Sequence, residues 1–596
     1  MSFSGGRFAY RKGNRNVSVD FKQSMDNEDF NLMINSSSAN NRGRITVVLT
    51  PKTEFTITDC FLNTDDVLTE QNPLFLNGYQ TWTDSREVSL SHSIPKLFPP
   101  ARPLLGMYGD YSFYKQGRGR LQSFTYTYIR NAKDGLITLF GSLSEKSGFT
   151  IFEFNRKEKS MRVIKDCKGL VPQADTPYVM FDLFTIQAEE SAAFDSYFAE
   201  SSIKEPHVQP CTGWTSWYNY YTKVTQSDVL ENLAAFSSRK LPIDIFQIDD
   251  GYQEAVGDWL HVNNKFPQGM RHLSDEIHKA GYKSGLWLAP IICEKTSKIY
   301  KEHPDWVLGK AGFNPGWSGI FYALDFYNPE VKNYLREVFD TVLNKWNYDM
   351  VKLDFLYAAS LPPRKDKTRG QVIFEFFEFL REISGDKIIL GCGAPLGCAF
   401  GLFDYCRVSS DVALTWEDKM LSAIHYRERV STINALTSTI GRYQLNGRAF
   451  YNDPDVFILR DGGNKLTEDQ RYTLFMINSV LGGLVFTSDN INEYTDSQLE
   501  LLKTLFSRKN LKVIGIESAE IVKIHYTIEE RTFCLMSNLS SAKIIVQSPY
   551  SGVLQKDNRS VAEKGKTELR PYQTICLECD DLTMNLPQNN VNKNEV

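Results

Sequence analysis

From Cys211 to about Asn490, short apolar segments alternate with stretches of helical period, and few folds accommodate that alternation. Eight segments have strand character: TGWTSW (212–217), IDIFQIDD (243–250), YKSGLWLAP (282–290), YDMVKLDF (348–355), KIILGCG (387–393), YCRVSSD (405–411), AFYNDPDVFIL (449–459) and GGLVFTSDN (482–490). Between them lie helix-start signals. Thr225 and Asp228 have capping-box spacing ahead of Val229, Leu230 and Leu233. Asn328 and Pro329 place an N-cap before a proline at the first helical position. Val331, Tyr334, Leu335, Val338, Phe339, Val342, Leu343 and Trp346 then recur on one helical face. This repetition predicts a (β/α)8 barrel. Only APLGCAFGLFD is available for a helix between the fifth and sixth segments, and a doubly wound open sheet satisfies the same alternation.

The flanks have a different period. Residues 1–205 read as short strands rich in β-branched and aromatic residues, among them 121–131, 135–143 and 149–155, which predicts a β-sandwich. EPHVQP (205–210) marks the junction. Strand character returns in AEIVKIHYTI (519–528) and AKIIVQS (542–548), and the polar tail NNVNKNEV is expected to fray. The fold class is therefore multidomain α/β plus β. Its expected divisions are an N-terminal β-sandwich at 1–205, a central (β/α)8 barrel at 206–510, and a small C-terminal antiparallel β-domain with its tail at 511–596.

Composition removes several functions. Lys and Arg total 67 against 72 for Asp and Glu, with no basic run, which argues against a nucleic-acid partner. No apolar run approaches the roughly 20 residues of a membrane span, and MSFSGGRFAYRKGN lacks the apolar stretch of a signal peptide. A cytoplasmic, reduced protein without membrane contact is the expectation. The 10 cysteines are too scattered for a disulfide scaffold, and the pair Cys576 and Cys579 reads as two reduced strand cysteines. The 8 histidines form no ligand pair, so neither metal nor cofactor is expected. No glycine-rich phosphate loop follows the first strand segment, which weakens a nucleotide reading.

Barrel chemistry sits at the C-terminal strand ends. Those ends hold Trp214 and Trp217, Asp249 and Asp250, Trp287, Lys352 and Asp354, Cys392, Arg407 and Asp411, Asp453 and Asp455, and Asp489. Carboxylates among aromatic rings equip a site to bind and cleave sugars, because rings pack on apolar sugar faces while carboxylates act as acid, base or nucleophile. Aromatics make up 13% of the chain, consistent with that use. Lys352 shares a strand face with Asp354 and favours its ionised form. Each carboxylate also has a plainer reading: Asp354 as a turn cap, Asp411 as the N-cap of the helix carrying Met420 and Ala423, and Asp249-Asp250-Gly251 as an ordinary strand-ending turn.

Taken in order, GWTSWYNYY, FQIDDGYQ, NKFPQGMRHLSDEIHKAGYKSGLWLAP, YKEHPDWVL, LDFYNPEVKNYL, VKLDFLYAAS, GCGAPLG, RVSSDVALTW and YNDPDVFILR resemble glycoside hydrolase family 36, the α-galactosidase family of the melibiase clan. NGYQTWTDS (77–85) resembles part of that family's N-terminal domain. The resemblance implies an N-terminal β-supersandwich, a catalytic barrel and a C-terminal β-domain. It implies a retaining hydrolase of terminal α-linked galactose, with Asp354 as nucleophile and Asp411 as acid/base. Lys352 and Arg407 would bind substrate, Asp249 and Asp250 would hold the 4- and 6-hydroxyls, and Trp287 would form a sugar-packing wall. Cys392 would lie near the 2-position, with Trp214 at a strand end and Trp82 reaching in from the sandwich. An α-galactoside is the implied partner, and assembly into a homo-oligomer is common in the family. Two positions depart from the family pattern: Tyr252 stands where members often have Trp, and GCGAPLG replaces a richer glycine stretch. An α-N-acetylgalactosaminidase, a galactosyl-transferring enzyme and a non-catalytic sugar-binding protein remain as alternatives.

Overall fold

The computed structural model describes residues 3–64, 68–110, 120–361, 363–506, 510–548, 552–553, 561–562 and 565–579; the tail expected to fray lies outside them. Each of the eight sequence segments contributes a strand to one parallel sheet. The strands are β1 (Cys211–Thr215), β2 (Ile245–Ile248), β3 (Lys283–Leu288), β4 (Met350–Leu353), β5 (Ile388–Gly391), β6 (Tyr405–Arg407), β7 (Tyr451–Asp453) and β8 (Leu484–Thr487). Consecutive strands pair from β1 to β7, and β8 pairs with β1.

The seventh segment, expected as one strand, is broken. Tyr451–Asp453 pairs with β6, whereas Val456–Phe457 pairs with β8. Pro454 has no N–H to give to a ladder, and Asp455 takes a left-handed conformation at φ 75°. The two ends of the strand order are thus halves of one segment, and the sheet returns on itself in a TIM-barrel-like ring. An open doubly wound sheet would instead end on two unrelated strands.

The major helices following these strands are α1 (Gln226–Ser238), α2 (Gly269–Lys279), α3 (Pro329–Asp340), α4 (Arg369–Ser384), α5 (Leu396–Ala399), α6 (Thr432–Gly441), α7 (Glu468–Leu481) and α8 (Asp496–Phe506). The sequence signals act as read. Thr225 and Asp228 form a capping box on α1, and Asn328 caps α3 through the Glu330 N–H. Val331, Leu335, Val338 and Phe339 are the buried face of α3, and the chain runs on through a π-helical turn that buries Val342 and Leu343. The short connection after β5 holds one turn, α5. β2, β4, β5 and β8 are buried along their whole length, as parallel strands covered on both faces must be.

One insertion was not legible in the sequence. Between β3 and α3 an antiparallel sheet of Ile292–Glu294, Val307–Asn314 and Gly319–Leu324 projects Trp317 from its tight turn.

Ahead of the barrel, two antiparallel sheets pack face to face. Phe8 of one sheet meets Phe30 of the other edge-on at 5.3 Å, within a core that includes Val47, Leu62, Phe152 and Phe181. The stretch 121–131, expected as a single strand, is two: Arg120–Phe124 and Tyr126–Arg130 lie in different sheets. Thr125, at φ 67°, turns the chain from one sheet to the other. After α8, the strands Lys512–Ser518, Val522–Ile528, Arg531–Ser537 and Thr574–Cys579 form a separate antiparallel sheet. Cys576 and Cys579, three residues apart on one strand, face opposite sides: Cys576 joins the core shared with the barrel, and Cys579 joins the C-terminal cluster. Among the described residues no helix is long and apolar enough to cross a membrane.

Candidate active site

Strand parity decides which side chains reach the barrel interior. Gln247 and Asp249, two residues apart, point the same way and are joined by a 2.8 Å hydrogen bond from Gln247 Nε2 to Asp249 Oδ2. Lys352 donates to the same Asp249 oxygen at 2.7 Å. Lys352 stands in register with Trp287 on β3, and the Trp287 indole N–H donates to Asp354 Oδ2 at 3.0 Å. The C-terminal ends of β2, β3 and β4 thereby bring together Asp249, Trp287, Lys352 and Asp354.

Asp354 carries both of its expected roles. Its Oδ1 accepts the Phe355 N–H at 2.9 Å, as a turn cap does, while Oδ2 faces Trp287. Phe355 sits at φ 56°, an uncommon conformation for a bulky residue and one that ends the strand abruptly at the carboxylate. Burial pushes the Asp354 pKa up; Lys352 opposes this and the Asp411 charge adds to it. Lys352 is therefore shared: its direct partner is Asp249, and it acts on Asp354 through space. Burial works against the Lys352 charge, yet Asp249 outweighs it and holds the ammonium above its ordinary pKa.

Asp411 is not a helix cap. Asp418 caps the following short helix, accepting the Met420 and Leu421 N–H groups at 2.9 Å each. Asp411 instead pairs with Arg407 at 2.7 Å, and its side chain keeps 32% of its surface exposed. Arg407 is buried and also contacts Asp453 at 3.0 Å and Asp455 at 2.9 Å. Asp455 additionally accepts the Tyr218 hydroxyl and the Val412 N–H. Its pKa is pushed up to about 7, by burial first, with Arg407 opposing and Asp411 and Asp453 reinforcing.

Asp250 points toward the inserted hairpin. Gln253 Nε2 donates to its Oδ1 at 2.6 Å and the Trp317 indole to its Oδ2 at 2.8 Å. Burial raises its pKa to about 6, despite those two donors. Trp317 also packs on Trp287, Phe321 and Phe355. Cys392, at the end of β5, is buried and accepts the Trp82 indole N–H at 3.2 Å. Trp82 thus reaches the barrel from the segment between the sandwich strands Leu74–Leu76 and Arg86–Val88, and its ring lies edge-on to Phe355 and Tyr357. Gly393, at φ 60°, is required there: a Cβ would stand 3.0 Å from Trp82 and 3.1 Å from the Phe355 backbone.

Trp214 is not brought to this group. It stands in register with Phe246, whose neighbours Gln247 and Asp249 are the inward residues. Its ring stacks on Phe246 at 4.4 Å, and its indole N–H donates to the Asp489 carbonyl. The strand-end position was right and the face was wrong. Asp489, also at a strand end, is fully buried against Arg460, the Tyr494 hydroxyl and the Leu459 and Arg460 N–H groups, a structural ion pair. Three contributors were missed as site residues: Asp453 and Asp455, noted only as strand ends, and Trp317, whose sequence signal is an aromatic set in the turn-rich run NPGWSG.

The melibiase family model matches residues 190–372, the stretch from the last helix of the sandwich region through β4 and into α4. Alpha-galactosidase 1 of Pediococcus pentosaceus is 30% identical over 161 residues, 25% of this chain and 22% of that protein. Alpha-galactosidase Mel36A of Lactobacillus acidophilus is 28% identical over 177 residues, 27% of this chain and 24% of that protein. These alignments span about a quarter of the length of the curated relatives. The solved α-galactosidase TtGalA of Thermus thermophilus, in complex with p-nitrophenyl α-D-galactopyranoside, superposes with a TM-score of 0.68 at 26% identity, over 84% of this chain and 98% of that one. The chain belongs to the family 36 melibiases. At the level of fold alone, a second family 36 member, AgaA of Geobacillus stearothermophilus, superposes over 93% of this chain and 82% of its own, with a TM-score of 0.61 at 12% identity. The melibiase match contains Asp249, Asp250, Trp287, Lys352 and Asp354; Cys392, Arg407 and Asp411 lie beyond its end and are joined to the others by the closed strand order.

Proposed function

We propose that the chain is a retaining α-galactosidase that removes terminal α-linked galactose by double displacement. The observation that carries this reading is the pairing of two unlike carboxylates across the strand ends. Asp354 is buried, bonded to an indole and placed in the field of Lys352. Asp411 is part-exposed and held by Arg407. In the first step an Asp354 oxygen attacks the anomeric carbon while Asp411 gives its proton to the departing glycosidic oxygen. In the second, Asp411 takes a proton from water, whose oxygen displaces Asp354 and releases galactose with its original configuration. Lys352 keeps the nucleophile anionic, and Arg407 can contact Asp411 in both protonation states because Asp453 and Asp455 balance its charge. Asp249 and Asp250, at the same rim, would accept the 4- and 6-hydroxyls, with the Trp287 and Trp317 rings as the apolar wall.

Support from similar proteins is direct in kind. The Thermus thermophilus neighbour is solved with p-nitrophenyl α-D-galactopyranoside and with stachyose. The domain division 1–205, 206–510 and 511–596 goes with this proposal, and no described sheet crosses either boundary.

The test is release of nitrophenol from the α-glycosides of galactose, N-acetylgalactosamine, glucose and xylose in parallel, with galactoside cleaved fastest. Release from none of them contradicts the proposal. A pH dependence follows from Asp250. A carboxylate titrating at about 6 accepts hydroxyl protons fully only above that value. Inhibition by galactose, a neutral product, should therefore tighten about tenfold between roughly pH 5 and pH 7. Asp250→Asn should flatten that step while Asp354→Asn preserves it; a pH-independent inhibition constant in the parent enzyme would remove Asp250 from the hydroxyl site.

A further inference from the structure

Arg442, directly after α6, is fully buried (0% exposed), and its guanidinium bonds to neutral oxygens alone among the described residues. Nε donates to Asn77 Oδ1 at 2.9 Å, Nη1 to the carbonyls of Thr81 at 2.6 Å and Val408 at 2.8 Å, and Nη2 to the Gln80 carbonyl at 3.1 Å. A buried cation with no carboxylate partner is costly, so its oxygens must be placed with care. Burial draws its pKa down to about 10, still high enough to leave it charged near neutrality.

Three of those four acceptors come from one stretch, 77–81, and the fourth is the residue after Arg407. The same stretch is tied to the barrel at further points. The Thr81 N–H donates to the Ala394 carbonyl at 3.1 Å, the Thr83 hydroxyl to Glu428 at 2.8 Å, and the Ser85 N–H to the Ser438 hydroxyl at 3.3 Å. Gly441 lets α6 approach so closely that a Cβ there would lie 2.5 Å from the Ser85 carbonyl oxygen. At the centre of this stretch Trp82 covers Cys392.

We propose that Arg442 is a positioning residue that clasps the N-terminal segment 77–85 onto the barrel and so sets Trp82 over Cys392, making the N-terminal β-domain part of the sugar site. The consequence for substrate rests on the α-galactosidase reading, whereas the placement of Trp82 does not. The guanidinium fork matches the task, since one planar group serves two stretches of backbone that share no ladder.

The experiment uses the full chain. Native protein is treated with iodoacetamide, and the labelling rate of each cysteine is read by peptide mass spectrometry. Arg442→Gln should raise the labelling of Cys392 about tenfold while Cys60, Cys293 and Cys534, buried elsewhere, stay protected. For p-nitrophenyl α-galactoside, KM should rise about tenfold with kcat changed less than about threefold, the pattern of lost uniform binding. Trp82→Ala, with Arg442 intact, should reproduce both effects. Arg442→Lys, which keeps the charge without the planar fork, serves if the Gln variant is not recovered folded. Continued protection of Cys392 in the Arg442 variant overturns the proposal. So does parallel labelling of all the buried cysteines, which marks a loosened fold instead of a local clasp. If the chain cleaves no α-galactoside, only the activity reading falls, and the labelling still decides the clasp.

Discussion

Asp354→Gly should lower kcat on p-nitrophenyl α-galactoside by about five orders of magnitude, the scale on which loss of a covalent nucleophile is felt. The fold should survive. The carboxylate removed is one whose charge is penalised by burial, and Lys352 keeps its direct partner Asp249. What disappears is the oxygen facing the anomeric carbon, leaving a gap between the Trp287 indole N–H and the Phe355 N–H. A small anion fits the chemistry of that gap. Azide should therefore restore nitrophenol release, forming a carbon–nitrogen bond from the vacated face and yielding β-galactosyl azide as phenolate departs. Full activity without azide would remove Asp354 from the mechanism. Inactivity that azide does not relieve, in a variant that has lost its native melting transition, would assign it to folding.

The second large effect is at Asp411. Asp411→Ala should cost about two to four orders of magnitude on substrates whose leaving group must be protonated, such as melbiose-type disaccharides, the usual range for a lost general acid. The loss should be smaller on p-nitrophenyl α-galactoside, whose leaving group departs as an anion. The alkaline limb of the kcat/KM profile should also vanish, because no acid remains to be deprotonated. Arg407 is not orphaned by this change, since Asp453 and Asp455 still hold it, so stability should be nearly unchanged. Equal losses on both kinds of substrate would contradict a proton-donating role. A raised KM with unchanged kcat would make Asp411 a binding residue.

The sequence disclosed the parts of this site that obey short-range rules. Parallel strands buried on both faces read as apolar runs, and their C-terminal ends were found at every position along the ring. Lys352 and Asp354 could be placed on one face because strand parity is local. Trp214 shows where that logic stops. Its distance from the strand end resembles that of the useful residues, but its inward or outward sense depends on register with Phe246 on the next strand. The same holds for the break in the seventh strand: Pro454 was visible, yet only the demand for closure assigns the two halves to different neighbours. Trp317 and Arg442 were invisible as contributors for another reason. One acts across an insertion and the other across more than 350 residues of chain, and neither contact leaves a local periodic signature.

The central claim is that Asp354 and Asp411 act in a double displacement on an α-galactoside. It is tested most directly by proton NMR of the first galactose formed from p-nitrophenyl α-galactoside, recorded before mutarotation. The account predicts the α-anomer first, with the β-anomer appearing only as the sugar equilibrates. Appearance of the β-anomer first would mean single displacement by water and would contradict the nucleophilic role of Asp354.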